Sequence, residues 1–246
     1  MAKLRILCLH GFYNNVQVMK HQFAYYEYIF RDYIEFDYLN APYECDEVYD
    51  PRIKEKFEGP FYRWTVYDQK TKTYSGFVES CKMIKDHFEN NGEYDGIIAF
   101  SQGGYLIRTM MKADAIGMPE IKITPKFVSL VGSAVPHEHV FKDKNEGNYE
   151  CPVLYIYGKK DPIIKGHNLA ICQTGDSTAI IHEKGHQIPK LTGDHMETFM
   201  KFFNRFYEDK FNKPMNFDFT VDEEFREEFI KNSESKLITK NALHKL

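Results

Sequence analysis

Apolar residues along the chain fall into two kinds of stretch. Short, nearly unbroken runs occupy residues 3–9, 33–39, 96–100, 126–131, 153–157 and 178–182. They lack a helical period and are too short for helices, so they read as strands, and continuous apolar runs fit strands covered on both faces. Between them, apolar positions recur every three or four residues, as in Val16, Met19, Phe23, Tyr26, Ile29 and Phe30. This spacing predicts helices over 16–30, 77–88, 105–111 and 192–206, with a short one over 165–172. Ser75 stands where the helix over 77–88 needs an N-cap, and Asn90-Asn91-Gly92 stops it. Strands alternating with helices imply an α/β fold: a mainly parallel, doubly wound sheet flanked by helices, with right-handed crossovers.

Two regions break the pattern. Residues 41–73 have no clear period and carry an aromatic cluster of Phe57, Phe61, Tyr62, Trp64 and Tyr67. An irregular stretch of that length is often a functional loop. Residues 207–246 are strongly charged and read as a C-terminal extension to a domain over 1–206. Within it, Thr220-Val221-Asp222-Glu223 is a capping-box pattern followed by Phe225 and Phe229, which predicts a helix over 222–232.

Composition narrows the class. The 246 residues are 43% apolar, enough for a substantial core, and 20 Phe and 17 Tyr make the chain unusually aromatic. The net charge of -4 comes from interspersed signs, without the clustered basic face that a nucleic acid would need. No apolar run approaches the roughly 18 residues of a membrane span. The first run is broken by Arg5 and is too short for a signal-peptide core. Five cysteines, odd in number and scattered, fit reduced thiols in the cytoplasm better than a disulfide framework. The oligomeric state is left open.

The chemistry lies at the strand ends. Sheets of this type place their sites beyond the carboxyl ends of the strands. Those ends carry His10-Gly11-Phe12, Ser101-Gln102, Ser133, Asp161 and His186. Ala99-Phe100-Ser101-Gln102-Gly103 joins a buried run to a helical pattern, which is the nucleophile elbow of the α/β-hydrolases in an A-x-S-x-G variant of G-x-S-x-G. Small residues two positions either side of the serine let strand and helix pass closely. Ser, Asp and His also follow in the chain order of that fold. A serine hydroxyl needs a base, and the base needs an orienting partner. His186 is the candidate base and Asp161 the orienter, with Gly185 freeing the His186 loop and Pro162 stiffening the turn after Asp161. The competitors stand elsewhere: His182 in a strand, His195 in a helix, and Asp176 before the last strand. The oxyanion donors expected are the backbone N–H groups of Gln102 and Phe12, the latter aimed by the backbone freedom of Gly11. His10 is read as structural. His137-Glu138-His139 lacks a third ligand at suitable spacing, and no phosphate loop is present, so no metal and no cofactor are expected.

Taken together these motifs resemble the FSH1-type serine hydrolases, the family of the ovarian-cancer-associated gene 2 protein. The resemblance rests on Leu7-Cys8-Leu9-His10-Gly11-Phe12, Phe36-Asp37-Tyr38-Leu39-Asn40-Ala41-Pro42, Tyr62-Arg63-Trp64 with Tyr74-Ser75-Gly76, Phe100-Ser101-Gln102-Gly103, Gly158-Lys159-Lys160-Asp161-Pro162 and Gly185-His186-Gln187-Ile188-Pro189. It spans residues 3–206 and implies a cofactor-free esterase of α/β-hydrolase fold acting on a small-molecule acyl ester through Ser101, Asp161 and His186. Ala99 in place of glycine and the charged extension depart from the family pattern. The elbow also looks like that of acyl-protein thioesterases and lysophospholipases. A non-catalytic binding protein of the same fold is a further alternative, disfavoured because every catalytic position is filled. Trp64, Val135, Ile163 and Ile188, with Phe12, are candidates to line an apolar acyl pocket.

Overall fold

The computed structural model describes residues 2–48, 51–133, 149–163 and 175–217. The strands and helices follow in the order β1 (Leu4–Leu9), α1 (Val16–Ile29), β2 (Ile34–Leu39), β3 (Tyr43–Cys45), α2 (Pro51–Lys56), β4 (Phe61–Arg63), β5 (Val66–Asp68), β6 (Thr73–Ser75), α3 (Phe77–Asn90), β7 (Gly96–Phe100), α4 (Gln102–Met111), β8 (Phe127–Val131), β9 (Val153–Gly158), β10 (Ser177–His182) and α5 (Gly193–Phe211). Six strands form one sheet in the order β10-β9-β8-β7-β1-β2, and every neighbouring pair is parallel. The order reverses at β1: the chain runs outward to β2, then returns to lay β7 on the other side of β1. Such a reversal opens a crevice at the carboxyl ends of the strands.

Strand alternation divides the core. Leu4, Ile6 and Cys8 face one layer, where Met19, Phe23 and Tyr26 of α1, with Phe30 just after it, meet Phe199, Phe203 and Tyr207 of α5. Leu7 and Leu9 face the other, against Cys81 and Ile84 of α3 and Leu106, Ile107 and Met110 of α4. Both layers are built of buried apolar side chains, which is why the strand sequences are apolar without alternation. Helix α1 starts where Asn15 accepts the Val18 N–H at 2.9 Å.

Three local expectations are corrected. Helix α5 continues to Phe211, five residues beyond the expected end, so the domain limit drawn at 206 falls inside it. The charge of Glu208, Asp209 and Lys210 belongs to its outer face. Tyr207 continues the buried stripe, and Lys210 reaches back to the buried carboxylate of Asp95, 2.7 Å away, which Lys126 also contacts at 2.9 Å. The irregular stretch 41–73 folds into α2 and two small antiparallel pairs, β3 with β4 and β5 with β6. Finally, Ser75 ends β6, and α3 is preceded by Gly76 at φ 80 with no side-chain cap. The Tyr43 ring lies where a Cβ on Gly76 would stand, so both the angle and the space require glycine. The helices expected over 165–172 and 222–232 lie outside the described residues.

Candidate active site

Ser101 sits between β7 and α4 at φ 51, ψ -114, a conformation that is costly for a residue with a side chain. The strain is held from both sides: the Ser101 N–H bonds Val131 O at 2.9 Å, and its carbonyl accepts the Tyr105 N–H at 3.1 Å. The turn pushes the hydroxyl beyond the sheet at the start of a ten-residue helix, whose N-terminal dipole favours negative charge there. Ala99 is fully buried, so the position tolerates a methyl group. Gly103 does not: a Cβ there would stand 2.8 Å from His10 O.

Three strand ends bring the polar chain together. His186 Nε2 lies 2.8 Å from Ser101 Oγ, and His186 Nδ1 lies 2.7 Å from Asp161 Oδ2. The Asp161 side chain is 1% exposed and that of His186 9%, so the pair is shielded from water while Oδ1 of Asp161 accepts the Ile163 N–H at 2.9 Å. The imidazole stacks on Phe100, with ring centroids 5.0 Å apart. The loops after β9 and β10 are stitched by Lys159 N–H to His182 O and Lys160 N–H to Lys184 O. The glycine this stitching needs is Gly158, whose missing Cβ leaves room for the carbonyls of Lys184 and Gly185. At Gly185 a Cβ would meet nothing closer than Lys160 O at 3.6 Å, so the expected role of Gly185 passes to Gly158.

The competing groups stay apart from this chain. His182 is buried and accepts the Lys184 N–H at Nδ1; burial pushes its pKa down. His195 is exposed on α5, and Asp176 pairs with Arg205 at 2.9 Å.

The loop after β1 lies against the elbow. A Cβ on Gly11 would stand 2.9 Å from the Phe100 ring and 3.1 Å from Ser101 Cβ. Gly11 is absent from the positive-φ residues, so close approach requires it there and the unusual angle expected of it is not adopted. Of the expected pocket residues, Trp64 is fully enclosed and donates its indole N–H to His10 O at 2.8 Å, so it lines no open cavity. Ile163 is 38% exposed beside Asp161, and Ile188 is half-buried against the α1–α5 layer. Phe12 is half-buried and stacks on Tyr13. Val135 and His137-Glu138-His139 lie outside the described residues.

Two side chains to which the motifs assign no role hold the surroundings of the site. The Gln102 side chain accepts the Trp64 N–H at 2.9 Å and donates to Thr65 Oγ1 at 2.8 Å. Arg108, fully buried on α4, donates to Ser133 O at 3.0 Å and fixes the turn after β8. That turn passes close to the imidazole, since a Cβ on Gly132 would stand 3.2 Å from His186 Nδ1. A Gln in an elbow and an Arg on a helix carry no local mark of such partners.

This sheet, with a strained serine at its central elbow and His and Asp beyond later strands, defines an α/β-hydrolase. The Zea mays acyl-protein thioesterase 2 shares the fold at a TM-score of 0.57 and 16% identity, over 84% of this chain and 95% of that one. The chain belongs to the FSH1 serine hydrolase family, whose model matches residues 1–198. It is similar to an esterase of Drosophila melanogaster, 26% identical over 216 residues covering 82% of this chain and 74% of the relative. An esterase of Caenorhabditis elegans is 24% identical over 198 residues, covering 77% and 88%. No helix among the described residues is long and apolar enough to cross a membrane.

Proposed function

We propose that the enzyme hydrolyses carboxylic esters through an acyl-serine intermediate, with Ser101 as nucleophile, His186 as general base and acid, and Asp161 as its orienter. The observation that carries the reading is the continuous hydrogen-bonded chain from Ser101 Oγ through His186 to Asp161. As Ser101 Oγ bonds to the ester carbonyl carbon, its proton passes to His186 Nε2. The carbonyl electron pair moves to oxygen, and the N–H groups of Phe12 and Gln102 receive the oxyanion. Collapse breaks the C–O bond to the alcohol, which leaves with the proton from His186. Water repeats the sequence on the acyl-serine and releases the acid. Asp161 keeps its charge and stabilises the imidazolium.

Esterase names among relatives of similar length support an ester substrate. The free thiols of Cys8, Cys45, Cys81 and Cys151 suit a reducing compartment, so the cytoplasm is the proposed location. A fluorophosphonate probe tests the nucleophile directly. It labels the wild type and leaves Ser101→Ala unlabelled, and p-nitrophenyl butyrate turnover falls by about 10⁴-fold or more in the variant. Equal labelling of the two proteins refutes the reading.

A further inference from the structure

The two proposed oxyanion donors stand on different loops, and one segment of the irregular stretch is hydrogen-bonded to His10, two residues before the first, and to the side chain of Gln102, the second. On the β1 side, His10 is buried with its two ring nitrogens engaged. Nε2 accepts the Ala41 N–H at 3.0 Å, and Nδ1 lies 2.7 Å from Gly11 O. An atom that accepts carries no proton, so the proton of the neutral ring is on Nδ1 and is donated to Gly11 O. Burial holds the ring neutral, with its pKa lowered to about 4. In a planar trans peptide the carbonyl and the following N–H point in opposite directions. The bond that draws the Gly11 carbonyl towards His10 therefore turns the Phe12 N–H the other way.

The His10 carbonyl is in turn held by the Trp64 indole N–H, and the two rings pack at 5.3 Å between centroids. On the elbow side, the Trp64 backbone N–H and the Thr65 hydroxyl hold the two ends of the Gln102 amide. That amide is thereby committed to the protein. Ser80 Oγ of α3 donates to Trp64 O at 2.6 Å and anchors the segment from behind. Trp64 and Thr65 are both buried.

We propose that Trp64-Thr65 is a positioning brace that sets the relation between the Phe12 and Gln102 N–H groups. The proposal rests on the reading of Ser101 as nucleophile and of these two N–H groups as oxyanion donors. Neither Trp64 nor Thr65 touches the reacting atoms. They act through His10 and through the Gln102 side chain, and their removal leaves both donors present but misaimed. An oxyanion forms only on the way to the tetrahedral intermediate, so the effect falls on turnover and spares ground-state binding.

The test uses Thr65→Val, which is nearly isosteric and cannot accept from the Gln102 amide, with Thr65→Ser, which keeps the hydroxyl. Gln102→Ala removes the side chain and retains the backbone N–H. Each is assayed on p-nitrophenyl butyrate for kcat and KM, for inhibition by an alkyl trifluoromethyl ketone, which adds the serine to form a tetrahedral oxyanion, and for Tm. Thr65→Val and Gln102→Ala are expected to lower kcat about 10- to 100-fold, the scale of a small misplacement at a reacting centre. KM stays within about twofold, ketone inhibition weakens in step with kcat, and the double variant is no worse than Gln102→Ala. Thr65→Ser recovers kcat relative to Thr65→Val. Wild-type kcat in Thr65→Val overturns the brace, and so does a loss shared by Thr65→Ser or one explained by the folded fraction at the assay temperature. Ser101→Ala run in parallel separates the two readings. If it is inactive while Thr65→Val is normal, the brace alone fails. If it retains turnover, the nucleophile reading fails and the brace with it.

Discussion

His186 and Asp161 on one side, and the Gly11-Phe12 loop with the elbow on the other, flank the same serine but are held by different forces. The first arm consists of side chains from the ends of β9 and β10, joined by direct hydrogen bonds of 2.7 and 2.8 Å. Its backbone stitching brings the loops together, and the side chains finish the geometry. In the second arm the groups proposed to meet the reacting carbonyl are main-chain N–H groups. The bonds around them come from a buried histidine, an indole, a glutamine amide and a threonine hydroxyl, and the proposed brace sets their direction through these. Side chains that do chemistry can be named from residue type and position. Main-chain donors have no residue type, so what aims them has to be found in space.

This contrast can be broken experimentally from either side. The largest effect is expected from Asp161→Asn. It preserves size but disturbs the imidazole tautomer, and kcat is expected to fall about 10⁴-fold while the brace bonds stay intact. Stopped assays at high enzyme concentration measure the residue of activity that the oxyanion arm supplies alone. Wild-type turnover in this variant removes Asp161 from the proton-transfer arm.

Gly103→Ala attacks the other arm. Its Cβ would press on His10 O from 2.8 Å, driving the elbow from the end of β1. A loss of about 100-fold in kcat is expected, comparable to removing one oxyanion donor, with a reduced Tm. Undiminished kcat would show that the spacing of the two loops is not critical.

The smallest effect is on stability against pH. His10 titrates at about 4 when folded and at an ordinary 6.5 when unfolded. Between those values the unfolded chain binds more protons, so stability rises with pH and is lost as pH falls from 6.5 towards 4. From pH 7 to pH 5 the loss due to His10 is about 2 kcal/mol. Burial of His182 lowers its pKa and acts in the same direction. Urea unfolding at both pH values, repeated on His10→Asn, isolates the first contribution: the variant is expected to lose about 2 kcal/mol less over that interval. Equal losses in both proteins contradict a neutral, bonded His10.

The sheet and the residues of the Ser101–His186–Asp161 hydrogen-bonded chain were legible because each rests on local pattern. A strand buried on both faces is a continuous apolar run, and the residues just past its end are the ones the fold presents at its crevice. Six runs thus located Ser101, Asp161 and His186 without any contact information. What went unread was long-range. Trp64, expected in an acyl pocket, is instead sealed beneath His10, 54 residues away in the chain. Apolarity does not say whether a ring faces substrate or core. Charge misplaced the end of α5, since Glu208, Asp209 and Lys210 mark an outer face as readily as a loose tail.

By itself, the sequence determined the class of fold, the strand ends and the three polar residues that meet there, because periodicity and residue chemistry are properties of a short window. The tertiary structure alone decided which glycines the close approaches require, and that Trp64 and Thr65, from a stretch without period, bond to His10 and to the Gln102 side chain. Those outcomes depend on which atoms are brought together from distant parts of the chain. Hydrogen bonds of 2.8 and 2.9 Å between residues 54 and 38 positions apart leave no trace in local composition.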